Sequence, residues 1–138
     1  MTVMTTYIHM NAFLNSANGY LKDAKATKFA YAVRKTATQV AEKLRDVQDL
    51  LEDLNINFCA TDPKTGIILR GPNGEYQYLK DQLKSRFLAQ KELFAAEVEV
   101  ECHCVDASIV PSDLTHAQLE AFEGFVIPSG YEAPELKS

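Results

Sequence analysis

Tryptophan is absent from this 138-residue chain, and cysteine (3), proline (5) and glycine (6) are scarce. Three cysteines cannot form the disulfide framework that stabilises small secreted domains. Basic charge is in deficit: 14 Lys and Arg against 19 Asp and Glu leave a formal charge of −5. That balance argues against non-specific binding to nucleic acid or to an anionic membrane surface, both of which need a Lys/Arg surplus. Long apolar runs are missing as well. Runs such as Gly66-Ile67-Ile68-Leu69 fall far short of the roughly 20 residues that cross a bilayer. The start of the chain has no basic residues followed by an apolar stretch, so no secretory signal is expected. The expected setting is a reducing cytoplasm with the cysteines as thiols.

Two glycine-containing segments lack the ligands that would give them chemistry. Gly71-Pro72-Asn73-Gly74 is not followed by the Lys-Ser/Thr of a phosphate loop, and Asp62-Pro63-Lys64-Thr65-Gly66 lacks the run of oxygen ligands of a calcium loop. Both read as turns. Lys80, Lys84, Arg86 and Lys91 are the best candidate for a basic stripe, but Asp81 and Glu92 lie among them, as on a solvated helix face.

What is present is 46% hydrophobic residues in a chain long enough to bury roughly two-thirds of its unfolded surface. A single domain over residues 1–128 is expected, with 129–138 as a flexible tail. The strongest pattern is an apolar stripe at Ala30, Val33, Ala37, Val40, Leu44, Val47, Leu51, Leu54 and Phe58, spaced alternately three and four apart. Such a heptad pattern predicts one helix, from an N-cap at Thr27 to about Asn57, on the order of 40 Å long. A stripe of this length needs covering by a second helix or by another copy of the chain. Its residues Val40, Leu44, Val47, Leu51 and Leu54 are therefore the candidate self-association seam.

Around that helix the pattern predicts a strand over Val3–His9, a helix over Asn11–Tyr20 closed by a left-handed Asn18-Gly19 cap, and a β-hairpin, Ile67–Arg70 with Glu75–Leu79, turning on Asn73-Gly74. A returning helix over Lys80–Ala96 presents Leu79, Leu83, Phe87 and Phe94 on one face, with Leu88 at its edge. Glu97–Val105 alternates as a half-buried strand, Val98, Val100, Cys102 and Cys104 inward and Glu97, Glu99, Glu101 and His103 outward. Thr115 opens a last helix through Leu119, Phe122 and Phe125. The fold class is therefore α+β, mainly helical: a long helix paired antiparallel with a second helix, a β-hairpin at the tip, short strands and a C-terminal helix.

The acidic row Glu97, Glu99 and Glu101 reads as a solvated strand face, or as a docking surface for a basic partner. Cys102-His103-Cys104 is the most conspicuous local cluster, since thiolates and imidazole bind zinc. On a strand, however, His103 faces away from the two cysteines. Cys59 and His116 are the remaining weak metal candidates. Cysteines behaving as small core hydrophobes are the simpler expectation, with no cofactor. No catalytic residue is assigned: Glu101 and Asp106 beside Cys104 would raise a thiol pKa, not lower it.

The start of the long helix, Lys28-Phe29-Ala30-Tyr31-Ala32-Val33-Arg34-Lys35, the Asp62-x-x-x-Gly66 turn, and Glu97-Val98-Glu99-Val100 followed by Leu114-Thr115-x-x-x-Leu119 resemble small bacteriophage- and prophage-encoded proteins of unassigned function. The likeness covers residues 10–127 and departs from the pattern at Cys102-His103-Cys104, where an aliphatic strand would be usual. It implies a host-cytoplasmic, non-enzymatic interaction protein, used in virion assembly or against a host target, with itself or another phage or host protein as partner. An acidic inhibitor of a host nucleic-acid or defence enzyme and a small zinc- or thiol-dependent protein are the alternatives.

Overall fold

The computed structural model describes residues 1–23 and 26–132. The chain is a mainly helical α+β fold with the order β1 (Thr2–Thr5), α1 (Tyr7–Tyr20), α2 (Lys28–Phe58), α3 (Leu83–Ala95), β2 (Val98–Glu101) and α4 (His116–Phe122). It divides into two compact units, Met1–Leu44 with Glu97–Ser138, and Arg45–Ala96. The domain expected over 1–128 is thus organised as two units that share α2. No linker composition marks the division, because it falls inside a continuous helix.

Helix α2 is a single 31-residue rod, as the heptad stripe requires. Its start is fixed by Thr27, whose Oγ1 accepts the Ala30 N–H at 3.0 Å, satisfying one of the donors left over at a helix N-terminus.

In the first unit, β1 and β2 pair antiparallel in the register Thr2↔Glu101, Val3↔Val100, Met4↔Glu99 and Thr5↔Val98. Strand β1 is shorter than the apolar pattern suggests. Thr6 is extended (φ −118, ψ 169) and serves as the N-cap of α1, so Tyr7, Ile8 and His9 belong to the helix. The helical stripe Met10, Phe13, Ala17 and Tyr20, all buried, draws this turn into α1. Nor does Gly19 end α1 in a left-handed cap, since its φ is not positive; the helix closes on Leu21 (φ −86), whose N–H donates to the Ala17 carbonyl.

Strand β2 also ends early. Beyond it, the His103 N–H turns to the buried Thr36 Oγ1 at 2.9 Å, and the Val105 N–H to the Val126 carbonyl at 2.9 Å. Inward and outward sides nevertheless alternate as expected: Val100 and Cys102 are buried, while Glu99, Glu101 and His103 are exposed.

Five aromatic rings fill this unit. Phe13 stacks on Phe125 at 4.7 Å and meets Phe122 edge-on at 5.5 Å. Tyr20 and Phe29 both reach Phe122, each at 6.0 Å, and meet each other at 5.5 Å. Phe122 thus joins α1, α2 and α4, and α1 packs closely on α4. Helix α4 stops at Phe122 because Gly124 takes a positive φ of 85, so Phe125 reaches Phe13 from the turn and not from the helix. Its start is a full capping box: Thr115 Oγ1 accepts the Gln118 N–H at 3.1 Å, and Gln118 Oε1 accepts the Thr115 N–H at 3.0 Å. Thr115→Ala should therefore cost about 1 kcal/mol, read as a lower urea midpoint with unchanged secondary structure. Of the predicted tail, Gly130 and Tyr131 donate to Glu123 Oε1 and to the Pro128 carbonyl, and 133–138 lie outside the described residues.

In the second unit, the expected two-stranded hairpin is part of a three-segment arrangement. The Ala60 N–H donates to the Gln77 carbonyl (2.7 Å), the Gln77 N–H to the Leu69 carbonyl (3.2 Å), and the Leu69 N–H to the Ala60 carbonyl (2.9 Å). This closed cycle leaves none of the three segments as an open edge there. The bridges are Cys59↔Tyr78, Thr61↔Ile68 and Arg70↔Tyr76. The tip is no mirror-image turn, because Asn73 does not have a positive φ. The Gly74 N–H closes on the Gly71 carbonyl at 3.0 Å, and Gly74 alone is left-handed (φ 82), as in a three-residue hairpin loop.

Helix α3 follows a 3-10 turn at Lys80–Gln82. Asn55 Oδ1, in the last turn of α2, accepts from Arg86 Nε and Nη2 at 3.1 and 2.8 Å, which places the start of α3 beside the end of α2. The covered side of α3 differs from the predicted one: Arg86, Ala89, Gln90, Leu93 and Phe94 are half-buried, while Leu83, Phe87 and Leu88 are exposed. The reason is the Arg86 guanidinium, which is stacked on the Tyr78 ring at 4.3 Å besides bonding Asn55. That anchor turns the Arg86 side of the helix inward.

Candidate interaction surfaces

The predicted seam is mostly occupied by the chain itself. Val40 (0% exposed), Leu44 (6%) and Val47 (5%) are buried, and Leu51 and Leu54 are half-buried. The self-association surface expected there is covered, because the same stripe forms part of the chain's own core.

Exposed apolar area lies elsewhere. Leu79 (50% exposed) precedes the 3-10 turn, and Leu83 (47%), Phe87 (62%) and Leu88 (53%) lie on the outward side of α3. Isolated apolar residues at a surface are ordinary, but an exposed group including a phenyl ring, here Leu83 and Phe87 on one side of Lys84 and Lys91 with Leu88 on the other, marks an interaction site far more often. The cationic groups Lys84 and Lys91 are exposed on the same side.

Of the acidic row, Glu99 and Glu101 on β2 and Glu97 just before it are exposed. Glu101 is partly engaged: its Oε1 accepts from the Met1 ammonium at 3.0 Å and its Oε2 from Thr2 Oγ1 at 2.9 Å. The Met1 ammonium first, then the Thr2 hydroxyl, hold its carboxyl below the usual carboxylate range.

The weak metal candidates are dispersed. Cys59 is buried in the second unit, its Sγ 3.3 to 3.5 Å from the Ala60, Leu69 and Gln77 carbonyls. Cys102 and Cys104 lie in the first unit and donate to the Val100 and Val105 carbonyls, each at 3.7 Å. His116 Nε2 meets Glu120 Oε1 at 3.1 Å on an exposed helix face. Among the described residues, no three His, Cys, Asp or Glu side chains form a group able to hold a metal ion.

Burial pushes the Cys102 thiol up to about 11 and raises that of Cys104. A thiol held protonated is a poor nucleophile. With iodoacetamide at pH 8, half-exposed Cys104 should react before buried Cys59 and Cys102, and peptide mass mapping reads the order. The raised Cys102 value also sets a sign. Its contribution to stability is complete below about 9 and is lost as pH rises through about 11. The urea midpoint should fall over that window by more in the wild type than in Cys102→Ala.

Two of the cavities that open on the first unit are large. One, about 760 Å³, is lined by β1, α1 and α4 residues including Met4, His9, Ala12, Glu120 and Phe125. The other, about 550 Å³, is lined by Thr27, Lys28, Tyr31, His103, Cys104 and Asp106. In the latter, His103 packs edge-on against Tyr31 at 5.9 Å, and Cys104 donates to a backbone carbonyl.

Sequence reasoning missed the Arg-Tyr stacks of the second unit. Arg70 lies over the Tyr76 ring at 4.4 Å, and Tyr76 Oη donates to Glu52 on α2, which raises the phenol's pKa. The alternation Tyr76-x-Tyr78 was the available signal.

No helix among the described residues is long and apolar enough to cross a membrane. Comparison of the chain with protein-family models, curated proteins and solved structures gives no match.

Proposed function

We propose that this chain is a non-enzymatic protein–protein interaction module whose working surface is the outward side of α3. One observation carries the reading: Leu79, Leu83, Phe87 and Leu88 stand exposed together while the heptad stripe of α2 from Val40 to Val47 is covered. Removing such a group from water is the dominant favourable term in most protein association. The resemblance to small phage and prophage proteins supplies the setting, a host cytoplasm in which the module serves particle assembly.

A photo-crosslinking side chain at position 87 should capture a discrete partner band in cells, whereas the same group at exposed Gln48 should not. Equal labelling at both positions, or none at 87, would refute the reading. A second reading, an acidic inhibitor presenting Glu97 and Glu99 in place of phosphates, is favoured by their exposure at the start of β2. It predicts a partner lost on raising the salt concentration and insensitive to substitution of Phe87.

A further inference from the structure

We infer that the partner of the α3 surface is a second copy of this chain, which offers the acidic outer side of the latter half of its α2. The inference rests on the interaction-module reading and adds the identity of the partner. At 100° per residue, the exposed arc of α3 runs from Leu83 and Phe87 through Lys91, Lys84, Ala95 and Leu88 to Glu92 and Ser85, so two ammonium groups sit between Phe87 and Leu88. In the latter half of α2, the exposed arc runs from Gln48, Glu52 and Arg45 through Ile56, Asp49, Asp53, Asp46 and Asn57 to Leu50, so three neighbouring carboxylates lie between Ile56 and Leu50. The inner stretches of the two arcs, Phe87, Lys91, Lys84 and Leu88 on α3 and Ile56, Asp49, Asp53, Asp46 and Leu50 on α2, share one layout with opposite charge.

Both arcs belong to the unit Arg45–Ala96, and their charges are unspent. Among the described residues, the ion pairs are Met1 with Glu101 and His116 with Glu120, and none involves Lys84, Lys91, Asp46, Asp49 or Asp53. In a two-fold dimer, residue i of one copy meets j of the other and j meets i. The α3-to-α2 contact is then made twice, and charge complementarity fixes its register and excludes wrong pairings. The exposed phenyl of Phe87 and the side chains of Leu83 and Leu88 would meet Leu50 and Ile56.

The experiment uses the full chain and light scattering at low salt. Wild type should have twice the 15.4 kDa chain mass and dissociate as salt rises. The double variant Lys84→Glu/Lys91→Glu makes both arcs acidic, and Asp49→Lys/Asp53→Lys makes both basic. Each alone should weaken the dimer by about 100-fold or more, with unchanged circular dichroism because all four positions are exposed. Mixing the two variants should restore a dimer containing one of each, since every contact is again between opposite charges. A monomeric wild type, a dimer indifferent to both reversals, or a mixture that stays monomeric would each overturn the proposal. A monomeric wild type whose position-87 crosslinker captures a different protein would overturn the second copy while keeping the interaction module. A monomer that captures nothing would sink both.

Discussion

Phe122→Ala should remove about 3–5 kcal/mol from the first unit, a large part of the roughly 5–15 kcal/mol that holds a typical domain folded. The phenyl is fully buried and touches the rings of Phe13, Tyr20 and Phe29, so its loss opens a cavity among residues from three helices. None of those neighbours can close it alone, since Phe13 is already stacked on Phe125. Edge-on ring pairs add about 0.5–1.5 kcal/mol each beyond the area they bury, which puts the effect at the upper end of the range. The matched control is Phe87→Ala, the same chemical change at a ring that is 62% exposed, for which the cost to a monomer should stay within about 0.5 kcal/mol. Urea unfolding followed by circular dichroism, at a concentration low enough to keep the chain monomeric, reads both. Equal midpoints for the two variants would mean that the aromatic cluster does not hold the unit together.

How much of this was legible in the sequence depends on the range over which each signal acts. Helix α2 was read to within a residue at each end, because nine stripe positions and a Thr27 cap are local and mutually consistent. The Thr115 capping box and the alternation from Glu97 to His103 were legible for the same reason. The side of α3 that turns inward was not. Its apolar pattern points to Leu83 and Phe87, yet the side is set by Arg86, whose partners Asn55 and Tyr78 are distant in sequence. A hydrophobic pattern counts arginine as solvent-facing, although its stem and planar head pack well when an acceptor and a ring are in place. The closed cycle of Ala60, Leu69 and Gln77 was equally hidden. Each of its bridges involves single residues, too short for a period-two signal. Of the candidate residues, the exposure of Glu97, Glu99 and Glu101 follows the alternation, whereas the seam was identified as apolar without any means of telling core from surface.

That last ambiguity gives the second large expected effect. Val40→Asp should abolish the cooperative unfolding of the first unit, because Val40 is fully buried and a carboxylate there would lose its hydration without gaining a counter-ion. Had the seam been a free surface, the same substitution would leave a folded chain of lower mass, so light scattering and circular dichroism together separate the two cases. Leu44→Lys supplies a graded version: at 6% exposure a lysine can carry its ammonium toward water along its aliphatic stem. The expected loss is then smaller than for Val40→Asp, with folding retained at low temperature. A Val40→Asp protein that keeps its circular dichroism and its melting temperature would place the stripe at the surface. The dimer would then be expected to form along α2 and not through α3. Conversely, loss of structure in Val40→Asp combined with a folded, monomeric Lys84→Glu/Lys91→Glu assigns the two apolar stripes to separate tasks, one holding the chain together and the other joining two chains.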